Sequence, residues 1–160
     1  MSIAEDRIST LEQEVANLKA LEGIRKALSR YAVGVDEKQP EILREIFAED
    51  AVLLVPVWNI DVRGIDAVMD FFNNYWSRFQ NPRRYYANED ITVQGSSGEA
   101  FMYWHVMQER DGKSVLAWGT YEWGFRLDDK RWKIIKEVVH ILVMSTLDRG
   151  WAIPDKVMAL

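Results

Sequence analysis

The chain contains no cysteine, which removes disulfide bridges, thiol nucleophiles and thiolate metal sites together. Histidine is almost as scarce. His105 and His140 are the only two, each set among apolar residues with no adjacent carboxylate pattern, so no metal site is expected. Lys and Arg are nowhere concentrated and the formal net charge is −5. That argues against nucleic acid as a partner, because phosphate binding needs a dense cationic surface. No apolar run approaches the roughly 20 residues that cross a bilayer, and the opening MSIAEDRIST is polar and acidic, unlike a secretory leader. No membrane partner and a cytoplasmic location are the resulting expectations. There is no nucleophile elbow, dinucleotide fingerprint or phosphate-binding loop, since Gly95-Ser-Ser-Gly98 reads as a hairpin turn. Any chemistry is therefore expected from side chains alone, with no cofactor.

What the chain has in abundance is aromatic surface: seven Trp, six Tyr and six Phe in 160 residues that are 48% hydrophobic. This suits one domain over residues 1–160 with a single core. Aromatics at that density fill a core, line a pocket for a flat apolar ligand, or do both.

Residues 2–35 read as helix. Ser2 and Glu5 form a capping box, and Ile8, Leu11, Val15 and Leu18 recur at 3-4-3 spacing. Gly23 is expected to interrupt the run, after which Ile24, Leu28, Tyr31 and Val35 make a second stripe. Residues 1–22 are thus a helical arm, packed on its own domain or on a neighbouring subunit. Pro40 starts a second helix, and Ala51–Val57 and Ile60–Arg63 read as short strands. Ile65, Val68, Phe71, Phe72, Tyr75, Trp76 and Phe79 form the apolar face of a third helix, stopped by Asn81-Pro82. From Arg84 the period becomes two, giving strands near 84–94, 99–109, 114–127 and 131–144 and an irregular tail over 145–160. Helices followed by a meander predict an α+β fold with a curved antiparallel sheet wrapped around N-terminal helices.

Within this order, Tyr31-Ala-Val-Gly-Val-Asp36, Leu43-Arg-Glu-Ile-Phe47-Ala-Glu-Asp50-Ala-Val52, Gly64-Ile-Asp-Ala-Val68, Gly119-Thr-Tyr121 and Phe125-Arg-Leu-Asp-Asp-Lys-Arg-Trp-Lys-Ile134 resemble, in sequence, the recurrent segments of the SnoaL-like branch of the nuclear transport factor 2 superfamily. The resemblance covers about residues 20–152. It implies the NTF2-like, cystatin-like cone, and within the branch it is closest to hexachlorocyclohexane dehydrochlorinase, scytalone dehydratase and bile-acid 7α-dehydratase. In those enzymes an Asp at the position of Asp36 orients a His on the first long strand, and the His abstracts a proton during elimination. Here that His position is Arg84. A guanidinium stays protonated and cannot act as the base. Arg84 would instead stabilise an enolate, phenolate or leaving oxygen, and the base would be Asp36, Glu137, a tyrosine or a histidine.

Strand parity sets Tyr121, Trp123 and Phe125 on one face. Alignment on Trp132 with the dehydrochlorinase pattern puts Glu137, Val139 and Ile141 in the cavity with Met102, Trp104 and Val106, and turns His105 and His140 outward. A one-residue slip would bring both histidines inside. The catalytic candidates are accordingly Asp36, Arg84, Tyr31, Glu137 and His140. The substrate-binding candidates are Trp58, Tyr86, Asn88, Trp104, Tyr121, Trp123, Val139 and Ile141. The resemblance implies a cofactor-independent lyase, a dehydratase or related eliminating enzyme, acting on a hydrophobic aromatic or polycyclic small molecule. Retro-aldol release of formaldehyde from lignin-derived diarylpropanes, isomerisation or cyclisation, and non-catalytic binding remain alternatives. A homodimer or homotrimer is expected, since a bare aromatic convex sheet face would invite aggregation.

Overall fold

The computed structural model describes residues 3–160, so the Ser2 half of the expected capping box lies outside the described residues. The element order is α1 (Ile3–Asp36), α2 (Pro40–Ile46), β1 (Phe47–Val55), a short 3-10 turn (Pro56–Trp58), β2 (Ile60–Arg63), α3 (Ile65–Arg78), β3 (Gln80–Gln94), β4 (Ser97–Arg110), β5 (Lys113–Asp128) and β6 (Arg131–Thr146). The strands form one sheet in the order β2-β1-β6-β5-β4-β3. This is an α+β, NTF2-like cone. Its sheet is mixed rather than antiparallel throughout, because β1 runs parallel to β6, with Leu53 opposite Glu137. β1 also starts earlier than expected, at Phe47 rather than Ala51.

Strands β3 to β6 are 14 to 16 residues long, well beyond the usual 3 to 10, and their bulges let them bend over the helices. At one bulge the backbones of β5 and β6 come so close that a Cβ on Gly119 would lie 1.8 Å from the His140 carbonyl oxygen. The concave face holds α3 through Val68, Met69, Phe72, Tyr75 and Trp76, and the second half of α1 through Ile24, Leu28, Tyr31 and Val35. Trp76 Nε1 donates to the Val35 carbonyl at 2.9 Å and ties the two helices together.

Gly23 does not interrupt α1. Its missing side chain admits the Trp132 ring, whose Cδ1 would stand 2.5 Å from an added Cβ, so packing and not chain termination accounts for the glycine. The first half of α1 leaves the domain, and residues 3–19 are exposed. The tail is less irregular than expected. Val157 bridges in parallel to Met144, and Val157, Met158 and Leu160 pack on the core. Among the described residues no helix is long and apolar enough to cross a membrane.

Candidate active site

The narrow interior of the cone is built around Tyr31, which rises from α1 into a ring of edge-on aromatics. Trp123 lies 4.9 Å away, Phe72 6.0 Å, and Phe47 and Tyr121 each 6.2 Å. Such contacts fix the ring and leave only its hydroxyl free to seek a partner. That partner is Glu137 on β6, fully buried, whose Oε1 accepts the Tyr31 proton donor at 2.5 Å. Burial pushes the Glu137 carboxyl up to about 8, against the opposing pull of the Tyr31 hydrogen bond and the Arg84 charge. Its other oxygen, Oε2, has no partner within the protein. Glu137 is therefore mostly a neutral acid at pH 7, able to donate from one oxygen while Tyr31 holds the other.

Arg84 enters from β3. Its Nε donates to Asp36 Oδ1 at 2.6 Å and its backbone N–H to Oδ2 at 2.8 Å, so both carboxylate oxygens at the end of α1 are engaged. The two side chains are only 6% and 10% exposed, and burial at that level requires such pairing. The outer nitrogens reach Tyr121 OH at 3.4 Å and Tyr75 OH at 3.5 Å, and the guanidinium carbon lies 5.6 Å from the Tyr31 ring centre. Burial alone would lower the Arg84 guanidinium. The oxygens of Tyr121, Tyr75, Tyr31 and Asp36 outweigh that and hold it above its ordinary value. Burial likewise raises the phenols of Tyr31, Tyr75, Tyr86 and Tyr121, so they remain protonated donors.

These groups share one cavity. Tyr31, Tyr75, Arg84, Tyr121 and Glu137 supply its polar wall, and Trp58, Phe71, Trp104, Val139, Ile141 and Met144 its apolar wall. Its volume is about 40 Å³. That holds a few waters; a benzene-sized guest needs about 150 Å³. The tail is tied beside this cavity: Trp58 Nε1 donates to the Met158 carbonyl at 3.1 Å, and Met158 N–H to the Met144 carbonyl at 3.0 Å.

Of the residues singled out in the sequence, Tyr31, Arg84, Glu137, Trp58, Trp104, Tyr121, Val139 and Ile141 meet at this cavity. Asp36 stands behind Arg84 with both oxygens used, which suits a positioning carboxylate better than a base. Tyr86 and Trp123 form a second layer against Tyr121. Two residues lie elsewhere. Asn88 sits in a left-handed bulge (φ 56°) that turns it outward, and His140 is on the convex face, 3.1 Å from Glu122, because the register is the unslipped one. Sequence reasoning passed over Tyr75 and Gln108, whose side chains hydrogen-bond each other beside Arg84. Their only signal was a polar tip at an inward position, on an apolar helix face and on a period-two strand. Among the described residues no cluster of three or more His, Asp or Glu side chains is arranged to hold a metal ion.

A family model describing a SnoaL-like domain matches residues 16–137. No curated protein matches the sequence significantly. Among solved structures, the hexachlorocyclohexane dehydrochlorinase LinA-type3 from Novosphingobium barchaimii is similar over 88% of this chain and 99% of its own, with a TM-score of 0.78 and 21% identity. A candidate scytalone dehydratase from Novosphingobium aromaticivorans is similar over 81% and 88%, with a TM-score of 0.74 and 18% identity. An NTF2-like protein with a cystatin-like fold from the same species is similar over 84% and 89%, with a TM-score of 0.69 and 19% identity. At these identities the likeness is one of fold.

Proposed function

The chain belongs to the SnoaL-like domain family, and on that premise we propose that it is a cofactor-independent lyase eliminating water or a comparable leaving group from a hydrophobic aromatic molecule. The observation that carries this reading is the buried Glu137 carboxyl at about 8, across the cavity from a guanidinium locked by Asp36. A group that titrates near neutrality is suited to move a proton in both directions. The ionised fraction of Glu137 takes a proton from the carbon adjacent to the one bearing the leaving group. Arg84 and Tyr121 then hold the oxyanion that develops on the substrate. The bond to the leaving group breaks, the electron pair from the C–H bond forms the new double bond, and the departing hydroxyl recovers the proton from Glu137 and leaves as water. Asp36 acts through Arg84, and Trp58 and Trp104 supply flat apolar walls. The names carried by structural relatives, a dehydrochlorinase and a candidate dehydratase, are both eliminating activities and agree with it.

One observation favours a second reading, non-catalytic binding of a small molecule: a cavity of about 40 Å³ admits an aromatic substrate only after its walls have moved. The two readings separate in one experiment. A panel of aromatic alcohols and polyketide-like compounds is incubated with the parent protein, Glu137→Gln and Arg84→Ala, and products are followed by mass. Loss of 18 mass units by the parent, abolished in both variants, supports the lyase. Binding without any variant-sensitive product overturns it, and a product of unchanged mass points to an isomerase.

A further inference from the structure

The exposed half of α1 carries a pattern that its own domain cannot use. Ile8, Leu11, Val15 and Leu18 are 56%, 57%, 47% and 64% exposed, although their 3-4-3 spacing makes one continuous apolar stripe. That stripe is not an extension of the buried one. At 3.6 residues per turn it is rotated by roughly 150° around the helix axis from Ile24, Leu28, Tyr31 and Val35. It therefore faces away from the domain to which α1 belongs.

We propose that this arm pairs with the same arm of a second copy of the chain in a parallel two-stranded coiled coil. Written as a heptad, Ile8 and Val15 occupy a and Leu11 and Leu18 occupy d, and β-branched residues at a with leucine at d favour two parallel strands. The flanking charges select the same arrangement. Arg7 and Glu14 fall at g, and Glu12 and Lys19 at e. In the parallel register Arg7 faces the partner's Glu12 and Glu14 faces the partner's Lys19, each pair occurring twice by symmetry. An antiparallel coil with the same four layers would set Glu12 against the partner's Glu12 and Glu14 against the partner's Glu14. The seam stops where the next a and d positions become Glu22 and Arg25, and Arg25 is already bound to Glu89 of its own β3 at 2.7 Å. Since seam and core stripe lie on opposite sides of α1, the two domains flank the coil without competing for it. Four layers make a short coil, so dissociation in roughly the micromolar range is expected.

Sedimentation equilibrium of the full chain from about 1 to 200 µM tests this, with Leu11→Asp/Leu18→Asp as the disrupting variant. A dimer is expected for the parent and at least about 30-fold weaker association for the variant. At concentrations where the parent too is monomeric, the variant's thermal transition should be unchanged, because both positions are exposed in the single chain. The absence of cysteine allows orientation to be read directly: Leu11→Cys joins two copies by a disulfide only if the d positions meet, as they do in the parallel coil. A monomer throughout, a trimer, or failure of Leu11→Cys to cross-link overturns the proposal. So does a dimer indifferent to the arm substitutions, which would move the contact to the exposed sheet residues around Tyr85, Tyr103 and Leu142.

Discussion

Tyr31 and Glu137, 106 residues apart, share a buried 2.5 Å hydrogen bond between α1 and β6. The phenol is held by four aromatic neighbours and donates to one carboxyl oxygen, so the proton of Glu137 is confined to the other. The cavity thus has one group that changes protonation near neutrality and one permanent cation. The behaviour of the protein with pH should follow from the first.

Because burial raises Glu137 to about 8, the native state keeps this proton while the unfolded chain releases it near the ordinary glutamate value of about 4.3. Between those values the native state binds more protons, and stability falls as pH rises. The contribution is fully present below about pH 4.3 and lost once pH passes about 8, a difference on the order of 4–5 kcal/mol. Glu137→Gln removes it. Urea titrations at pH 5, 7 and 9 should show the variant gaining on the parent at each step, while turnover drops by about 10²- to 10⁴-fold. Parallel stability profiles would show that Glu137 is ionised in the native state at all three pH values.

The Asp36–Arg84 pair allows stability and activity to be separated. Asp36→Ala leaves a buried guanidinium with one strong acceptor fewer and should cost about 3–5 kcal/mol in chemical denaturation. The double replacement Asp36→Leu/Arg84→Met removes both charges, and its stability should return to within about 1–2 kcal/mol of the parent. Turnover should stay lost in both, since neither retains an oriented cation beside Tyr75 and Tyr121. A double variant that remains active would remove Arg84 from the chemistry.

How much of this was legible in the sequence depended on whether a residue carried a local contradiction. Arg84 stood out because the family resemblance sets a histidine at its position, and alignment on Trp132 with the dehydrochlorinase pattern, not parity alone, set Glu137, Val139 and Ile141 inward. Asp36 was visible through the family resemblance, but its engagement by both Nε and the backbone N–H of Arg84 requires β3 to cross the end of α1, which no periodicity encodes. Asn88 was misplaced because a bulge between Ala87 and Asp90 breaks the alternation of β3 there. The parallel pairing of β1 with β6 and the strapping of the tail across Trp58 depend on long-range closure of the sheet, where the local text is neutral between outcomes. Tyr75 was hidden by being a good core residue: its hydroxyl matters only once Arg84 and Gln108 lie beside it.

Gly119 supplies a test of the fold independent of any chemistry. A methyl group there would approach the His140 carbonyl oxygen at 1.8 Å, and both atoms belong to the backbone or are fixed to it, so relief requires separating β5 from β6. Gly119→Ala should lose at least about 3 kcal/mol, or roughly 6–12 °C in the thermal midpoint for a chain of this size. An unchanged midpoint would mean that the two strands are not so closely apposed at this bulge.

The tail is bound to two residues that line the cavity, and access to it is therefore tested there. Trp58 Nε1 is bound to the Met158 carbonyl, and Met158 is bound in turn to Met144, whose side chain lines the cavity. Opening therefore means breaking a small set of hydrogen bonds at one edge of the sheet and lifting Val157 and Met158 from the core. Trp58→Phe retains an aromatic wall but deletes the donor. A neutral hydrogen bond contributes about 0.5–1.5 kcal/mol, so the open population should rise by roughly 2- to 10-fold. If the closed state excludes ligand, the association rate of a flat aromatic probe, followed by stopped-flow tryptophan fluorescence, should rise by the same factor. Amide exchange at Met158 should accelerate in parallel, whereas that at Tyr121 in the centre of β5 should not. Identical association rates in parent and variant would mean that ligand enters by another route, and the strap would then be only a structural closure.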